Sequence, residues 1–211
     1  MNRLLIRYSL LSLCVLIHGC TSDYQFLKSV RVDNGCGRVT SPTWVGTSWY
    51  HTSVDVTGKH LSGLVLIKNM PDSSRRIVFT SEAGVTFFDF GFDQNGRFSV
   101  HSIIKKLDKK PIINTLEKDF ALITGIPFKS GDVQAWSMGN EIYFGVQQKK
   151  ETAYFITNKD CSSLRRLELG TKMKRKISVR IARNGYPLPD SLDINHYTFP
   201  LRIQLIRFEK E

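Results

Sequence analysis

Between residues 108 and 123, apolar positions recur at helical spacing: Ile112, Ile113, Leu116, Phe120 and Ile123 share one face. Lys109, Lys110, Glu117 and Lys118 fall largely on the opposite side. Asp108 reads as the N-cap, Pro111 is tolerated in a first turn, and Gly125 stops the helix just past its last apolar residue. On both sides of this helix the pattern changes to strands. Residues 49–56, 61–67, 75–80, 85–92 and 97–104 read as a meander, broken by turn residues such as Gly58, Asn69-Met70-Pro71-Asp72 and Asp93-Gln94-Asn95-Gly96. In the fourth of these, Val85, Phe87, Asp89 and Gly91 point one way and Thr86, Phe88, Phe90 and Phe92 the other. After the helix, residues 125–139 read as a loop carrying Ile126-Pro127-Phe128 and Trp136. Further strands are predicted over 141–147, 152–157, 164–169, 174–182, 192–198 and 201–208. A helix with one wide apolar face in an otherwise all-β chain needs a sheet to lie on. The expected fold is mainly β, α+β in class: an antiparallel, curved open β-barrel of about ten to eleven strands wrapped around one central amphipathic helix.

The first nineteen residues differ in kind. Arg3 and Arg7 form a positive n-region, and an apolar run over 10–17 ends in Ile17-His18-Gly19-Cys20. That run is shorter than the roughly 18–20 apolar residues a membrane span needs, and it reads as a secretory signal. Ile-x-Gly-Cys resembles the lipobox of bacterial lipoproteins, although His18 departs from the small or aliphatic residue usual there. The resemblance implies cleavage before Cys20 and acylation, with palmitate among the acyl groups, of its thiol and new amino group. Thr21 stands where an aspartate would favour inner-membrane retention, so an outer-membrane anchor facing the periplasm is implied. Ordinary signal cleavage nearby is the alternative. Residues 20–43 are mixed and polar and read as an acylated N-terminus and tether, followed by one domain over 44–211 with no linker or repeat.

With Cys14 in the leader and Cys20 lipidated, Cys36 and Cys161 remain, in a compartment that permits disulfides. Two cysteines alone do not show that they meet. The formal net charge is +11, or +9 without Arg3 and Arg7, and basic clusters recur at 105–106, 109–110, 149–150, 165–166 and 172–176. Outside the cytoplasm such clusters point to anionic lipid headgroups or acidic polymers rather than nucleic acid, or else to a merely solvated surface.

Little in the chain points to catalysis. His51, His60, His101 and His196 are scattered over predicted strands, without metal-ligand spacing, and no Gly-x-Ser-x-Gly elbow exists. Asp89 sits among phenylalanines, where a buried carboxylate can serve as an acid; a backbone or basic partner is the plainer reading. The chain reads as a non-enzyme with no cofactor and no metal. Its aromatics carry more information, because Phe79, Phe87, Phe88, Phe90, Phe92 and Phe98 crowd adjacent strands. Most must be core, but a half-open barrel can leave some facing a cavity.

The strand series, the helix end at Asp119-Phe120 and Leu122-Ile123-Thr124-Gly125-Ile126-Pro127, then Trp136, Gly139 and the late Tyr186-Pro187-Leu188-Pro189, together resemble the periplasmic lipoprotein-sorting (LolA/LolB-like) superfamily. Residues 61–125 are similar to its uncharacterised lipoproteins, which carry a Phe-Phe-Asp-Phe strand and a Lys-Lys helix start. The resemblance implies an acyl-binding groove and an exposed apolar loop that receives a cargo's lipid; the plainer reading of Ile126 and Phe128 is that both plug the barrel mouth. On the basis of the resemblance Phe87, Phe88, Phe90, Phe120, Ile126 and Phe128 are the candidate ligand-binding residues. Two functions stay open: a module binding a lipid or lipoprotein acyl chain, or an accessory envelope lipoprotein with a fully packed barrel, meeting a partner by its surface.

Overall fold

The alternating segments join into one antiparallel sheet of thirteen strands among the described residues. The structure, a computed structural model, describes residues 22–32, 36, 46–56, 58–128, 132–183 and 188–208. The expected leader over 1–19, the lipidation site Cys20, Lys129-Ser130-Gly131 and Tyr186-Pro187 lie outside the described residues. In chain order the elements are β1 (Lys28–Ser29), β2 (Thr47–Val56), β3 (Lys59–Asn69), β4 (Arg75–Thr80), β5 (Thr86–Phe92) and β6 (Phe98–Ile103). Helix α1 (Lys110–Ile123) and a 3-10 turn (Ile126–Phe128) follow, then β7 (Gln134–Met138), β8 (Glu141–Gln148), β9 (Glu151–Asn158) and β10 (Leu164–Gly170). The chain closes with β11 (Arg175–Ala182), β12 (Ser191–His196) and β13 (Leu201–Arg207).

The strand order is β1-β7-β8-β9-β10-β11-β12-β13-β2-β3-β4-β5-β6, so the second half of the chain returns to pair with β2 and both edges stay open. Thirteen strands replace the ten to eleven expected, and β1 and β7 make the difference. The sequence reads β7 as part of a loop because none of its residues is fully buried, leaving little alternation to detect. Two residues, as in β1, are shorter than any period.

One face of the sheet carries the main core. Val65, Ile77, Phe88, Phe90, Phe155 and Ile203 join Leu116, Phe120, Leu122 and Ile123 of α1 in a single apolar cluster. Phe88 stacks on Phe90 at 4.3 Å and meets Phe120 edge-on at 5.6 Å. Asp89 points to the other face, where Arg76 pairs with it at 2.6 Å, as alternation requires. The helix buries a wider arc than its five apolar positions imply, since Asp119 and Leu122 are also inside. Its start differs from expectation: Lys109 occupies the cap position and no side chain caps the helix, so Asp108 does not act as N-cap. At the other end Gly125 takes φ of 73°, a left-handed conformation that ends the helix, and the Arg75 guanidinium donates to the Thr124 carbonyl.

The opposite face bears a second, smaller cluster of Tyr24, Tyr143, Tyr154 and Ile156. Residues 22–32, read from sequence as tether, therefore lie on the sheet. Tyr24 is buried and its hydroxyl donates to the Glu168 carboxylate at 3.1 Å. Gly170 leaves room for it, because a Cβ there would stand 2.6 Å from the Tyr24 hydroxyl. Arg166 and Arg175 complete the buried charge of Glu168 at 2.7 and 3.2 Å. Cys36 and Cys161 are disulfide-bonded with Cα atoms 5.1 Å apart, tying the N-terminal segment to the β9–β10 turn. In the chain-entropy model a loop of this length stabilises by about 4–5 kcal/mol.

Candidate functional site

Where α1 begins, the apolar face of the helix does not fully meet the sheet. Its first two turns present Ile112, Thr115 and Leu116 toward the ends of β2, β3 and β13. Below them lies a cavity of about 60 Å³, lined by apolar side chains and by the Thr52 and Thr115 residues. Above it opens a cleft of about 480 Å³. Val56, Leu61, Leu107, Ile112 and Phe199 line both spaces, so they form one funnel. Lys59, His60, Lys106 and Lys109 stand at the cleft. His60 is paired with Asp55 at 2.7 Å, on exposed surface.

The helix is held over this funnel by a buried acid–base pair. Asp119, fully buried, accepts from or shares a proton with His196 Nε2 at 2.8 Å. His196 Nδ1 faces the Leu201 carbonyl oxygen at 3.1 Å, an acceptor, so Nδ1 carries a proton. Burial raises the Asp119 pKa, and His196 only partly offsets this. For His196, burial acts to lower the pKa, but the Asp119 carboxylate outweighs it and the net direction is up. The Oδ2 atom of Asp119 is buried and has no hydrogen-bond partner among the described residues. His196 ends β12 and Leu201 begins β13, so the pair joins α1 to the turn that carries Phe199 at the funnel. Neither Asp119 nor His196 lines the cleft or the cavity. The arrangement ties the helix to the β12–β13 turn.

The sequence-derived candidates divide. Phe87 lines the cleft, and Phe88 and Phe120 line the inner cavity. Phe90 is fully buried behind Phe88 and reaches neither space. Ile126 and Phe128 pack elsewhere: Ile126 lies against Gly96, and Phe128 meets Phe155 edge-on at 5.2 Å. Both are half-buried against the main core, so the turn they occupy is not an exposed apolar tip. Leu61, Leu107, Ile112 and Phe199 also line the funnel, and no motif in the sequence marks them as site residues. Of these, Ile112 carries a sequence signal, as the first residue of the helical apolar stripe.

No family model matches the chain, and no curated protein matches it. Among solved structures it is similar to a LolA superfamily protein from Nitrosomonas europaea, with a TM-score of 0.52 at 7% identity, over 82% of this chain and 88% of that one. A DUF1329 family protein from Desulfovibrio piger gives a TM-score of 0.42 at 9% identity, over 83% of this chain and 88% of that chain. At such identities the first likeness is one of fold: the chain has a LolA-like curved sheet carrying a helix.

Proposed function

We propose that this chain is a bacterial envelope lipoprotein, anchored to the outer membrane through Cys20 and facing the periplasm, that binds the acyl chain of a lipid or lipoprotein under α1. The observation that carries the reading is the funnel. An apolar cleft of about 480 Å³ falls within the roughly 300–1,000 Å³ of typical ligand sites, and it narrows into a cavity between helix and sheet. A chain of methylenes suits such a lining, gaining about 0.8 kcal/mol for each one buried. Lys59, Lys106 and Lys109 at the cleft supply positive charge for a phosphate or carboxylate headgroup. The reading is non-catalytic, with Asp119 and His196 kept for positioning.

The small size of the inner cavity favours the second reading, an accessory lipoprotein with a packed barrel. Native mass spectrometry of the chain from residue 21 onward decides between them. We expect co-purified lipid on the parent and its loss in Ile112→Trp, where the indole fills the throat of the funnel, with the melting temperature held within about 3 °C. A parent that carries no lipid and binds no fluorescent fatty acid overturns the proposal.

A further inference from the structure

Strands β10, β11, β12, β13, β2 and β3 are consecutive neighbours, so the β10–β11, β12–β13 and β2–β3 turns leave the sheet at the same end. These turns gather exposed apolar and basic side chains. Met173 is 49% exposed, Tyr197 57% and Phe199 39%. Lys172 and Lys174 flank Met173 and are exposed. Further along, Phe199 shares the cleft with Lys59, Lys106 and Lys109.

The turns are bound to one another. The Arg175 guanidinium lies 5.1 Å from the Tyr197 ring centroid, and the Tyr197 backbone N–H donates to the Lys176 carbonyl at 2.9 Å. Among the described residues, ion pairs occupy Arg175 and Lys176 but none of Lys59, Lys106, Lys109, Lys172 and Lys174. The nearby acids are Asp108, on the connection to α1, Asp55, already paired with His60, Asp23, whose carboxylate accepts from the Arg175 N–H, and Glu168 and Glu151, which hold Arg175 and Lys176. Positive charge therefore dominates this end.

The N-terminal segment reaches the body at this same end. Ser22 Oγ donates to the Lys172 carbonyl at 2.9 Å and the Asp23 N–H to the Met173 carbonyl at 3.0 Å. The Arg175 N–H returns a bond to Asp23 Oδ2 at 2.8 Å. Ser22, the first described residue, thus sits on the Lys172–Lys174 turn.

We propose that this end of the sheet docks on an anionic bilayer: Met173, Tyr197 and Phe199 enter the interface while Lys172, Lys174, Lys59, Lys106 and Lys109 meet phosphates. Aromatic and apolar tips ringed by lysine suit an interface that is apolar below and anionic above. The N-terminal segment then works as a strap, not a loose tether, and turns the cleft toward the lipid. The docking rests on the anchored-lipoprotein reading for its orientation and not on occupancy of the cleft.

The test uses the chain from residue 21 onward, which retains every residue the structure describes, with vesicles of phosphatidylcholine containing about one-third phosphatidylglycerol. The parent should sediment with these vesicles, release in high salt, and ignore pure phosphatidylcholine. Each lysine at an anionic surface changes partitioning about fivefold, so Lys172→Gln with Lys174→Gln should weaken binding about 25-fold. Lys159→Gln with Arg165→Gln removes the same charge near the opposite end and should change binding less than about twofold. Met173→Trp should gain fluorescence that brominated acyl chains quench. Equal losses in the two charge pairs, no quenching, or binding to an acidic polymer with none to anionic vesicles overturns the docking surface. Ile112→Trp separates the two ideas, because it should lose bound lipid and still sediment with vesicles.

Discussion

Among the described residues, replacing His196 with leucine removes the only hydrogen bond to the Asp119 carboxylate and leaves both of its oxygens unpaired in the interior. The two side chains are 3% and 0% exposed, so water cannot take over from the imidazole. Removing one partner of a buried pair costs about 3–5 kcal/mol, a large part of the roughly 5–15 kcal/mol that holds a domain folded. The Leu201 carbonyl loses its donor as well, adding about 1 kcal/mol. The double variant Asp119→Leu, His196→Leu should return to within about 1 kcal/mol of the parent, because apolar side chains of similar volume replace a buried ion pair at little cost. Urea midpoints at constant m-value read all three.

The pH dependence is a second readout of the same pair. The His196 pKa is raised in the folded state, so its contribution is full below the unfolded value of about 6.5 and is lost as pH rises through the folded value. Asp119 is also raised, and the carboxylate it must hold once the shared proton leaves is disfavoured by burial. Both directions agree. The parent should lose stability relative to the double variant as pH rises above about 6.5. A His196→Leu cost below about 1 kcal/mol at about pH 6, where the contribution is full, or identical pH profiles for parent and double variant, would refute the assignment.

Two other outcomes follow from the sequence reading and the fold. Cys20→Ala should abolish incorporation of a clickable fatty acid, and label retained by that variant would remove the case for a lipid anchor at this position. Phe120→Ala should cost about 3–5 kcal/mol, whereas Lys118→Ala, which gives up a half-exposed pair with Glu151, should cost about 0.2–1 kcal/mol; equal urea midpoints would mean that the helix faces are misassigned.

Strong periodicity made the body of the fold legible. The helical stripe through Leu116, Phe120 and Ile123 and the alternation of Phe88, Phe90 and Phe92 each bury one face, and those faces meet. What the sequence concealed lies at the margins of that pattern. Tyr24 docks through a hydroxyl on Glu168, 144 residues away, a contact made of polar groups that no apolar period announces. The funnel is harder still, because its lining comes one or two residues at a time from strands, the helix and two connections, and a space has no residues of its own. Ile126 and Phe128 stay undecided in the sequence for a related reason. An apolar pair in a turn looks alike in sequence whether it faces water or fills the gap beside the helix, and only the position of Phe155 decides.

Asp119 shows where the boundary of legibility falls. It sits three residues after Leu116 and four before Ile123, at the edge of the apolar stripe, so the spacing that predicts the helix also places a carboxylate beside its core-facing side. A buried carboxylate demands a partner, and the candidates were few: the histidines and the basic clusters. The sequence therefore posed the question without answering it. His196 lies 77 residues downstream, and it becomes the partner only because β13 returns beside β2, bringing the β12–β13 turn over the helix. The same return places Phe199 at the funnel and Tyr197 against Arg175. One late hairpin thus secures the helix, shapes the cleft and supplies part of the exposed end, which is why a fault at His196 should be felt in all three.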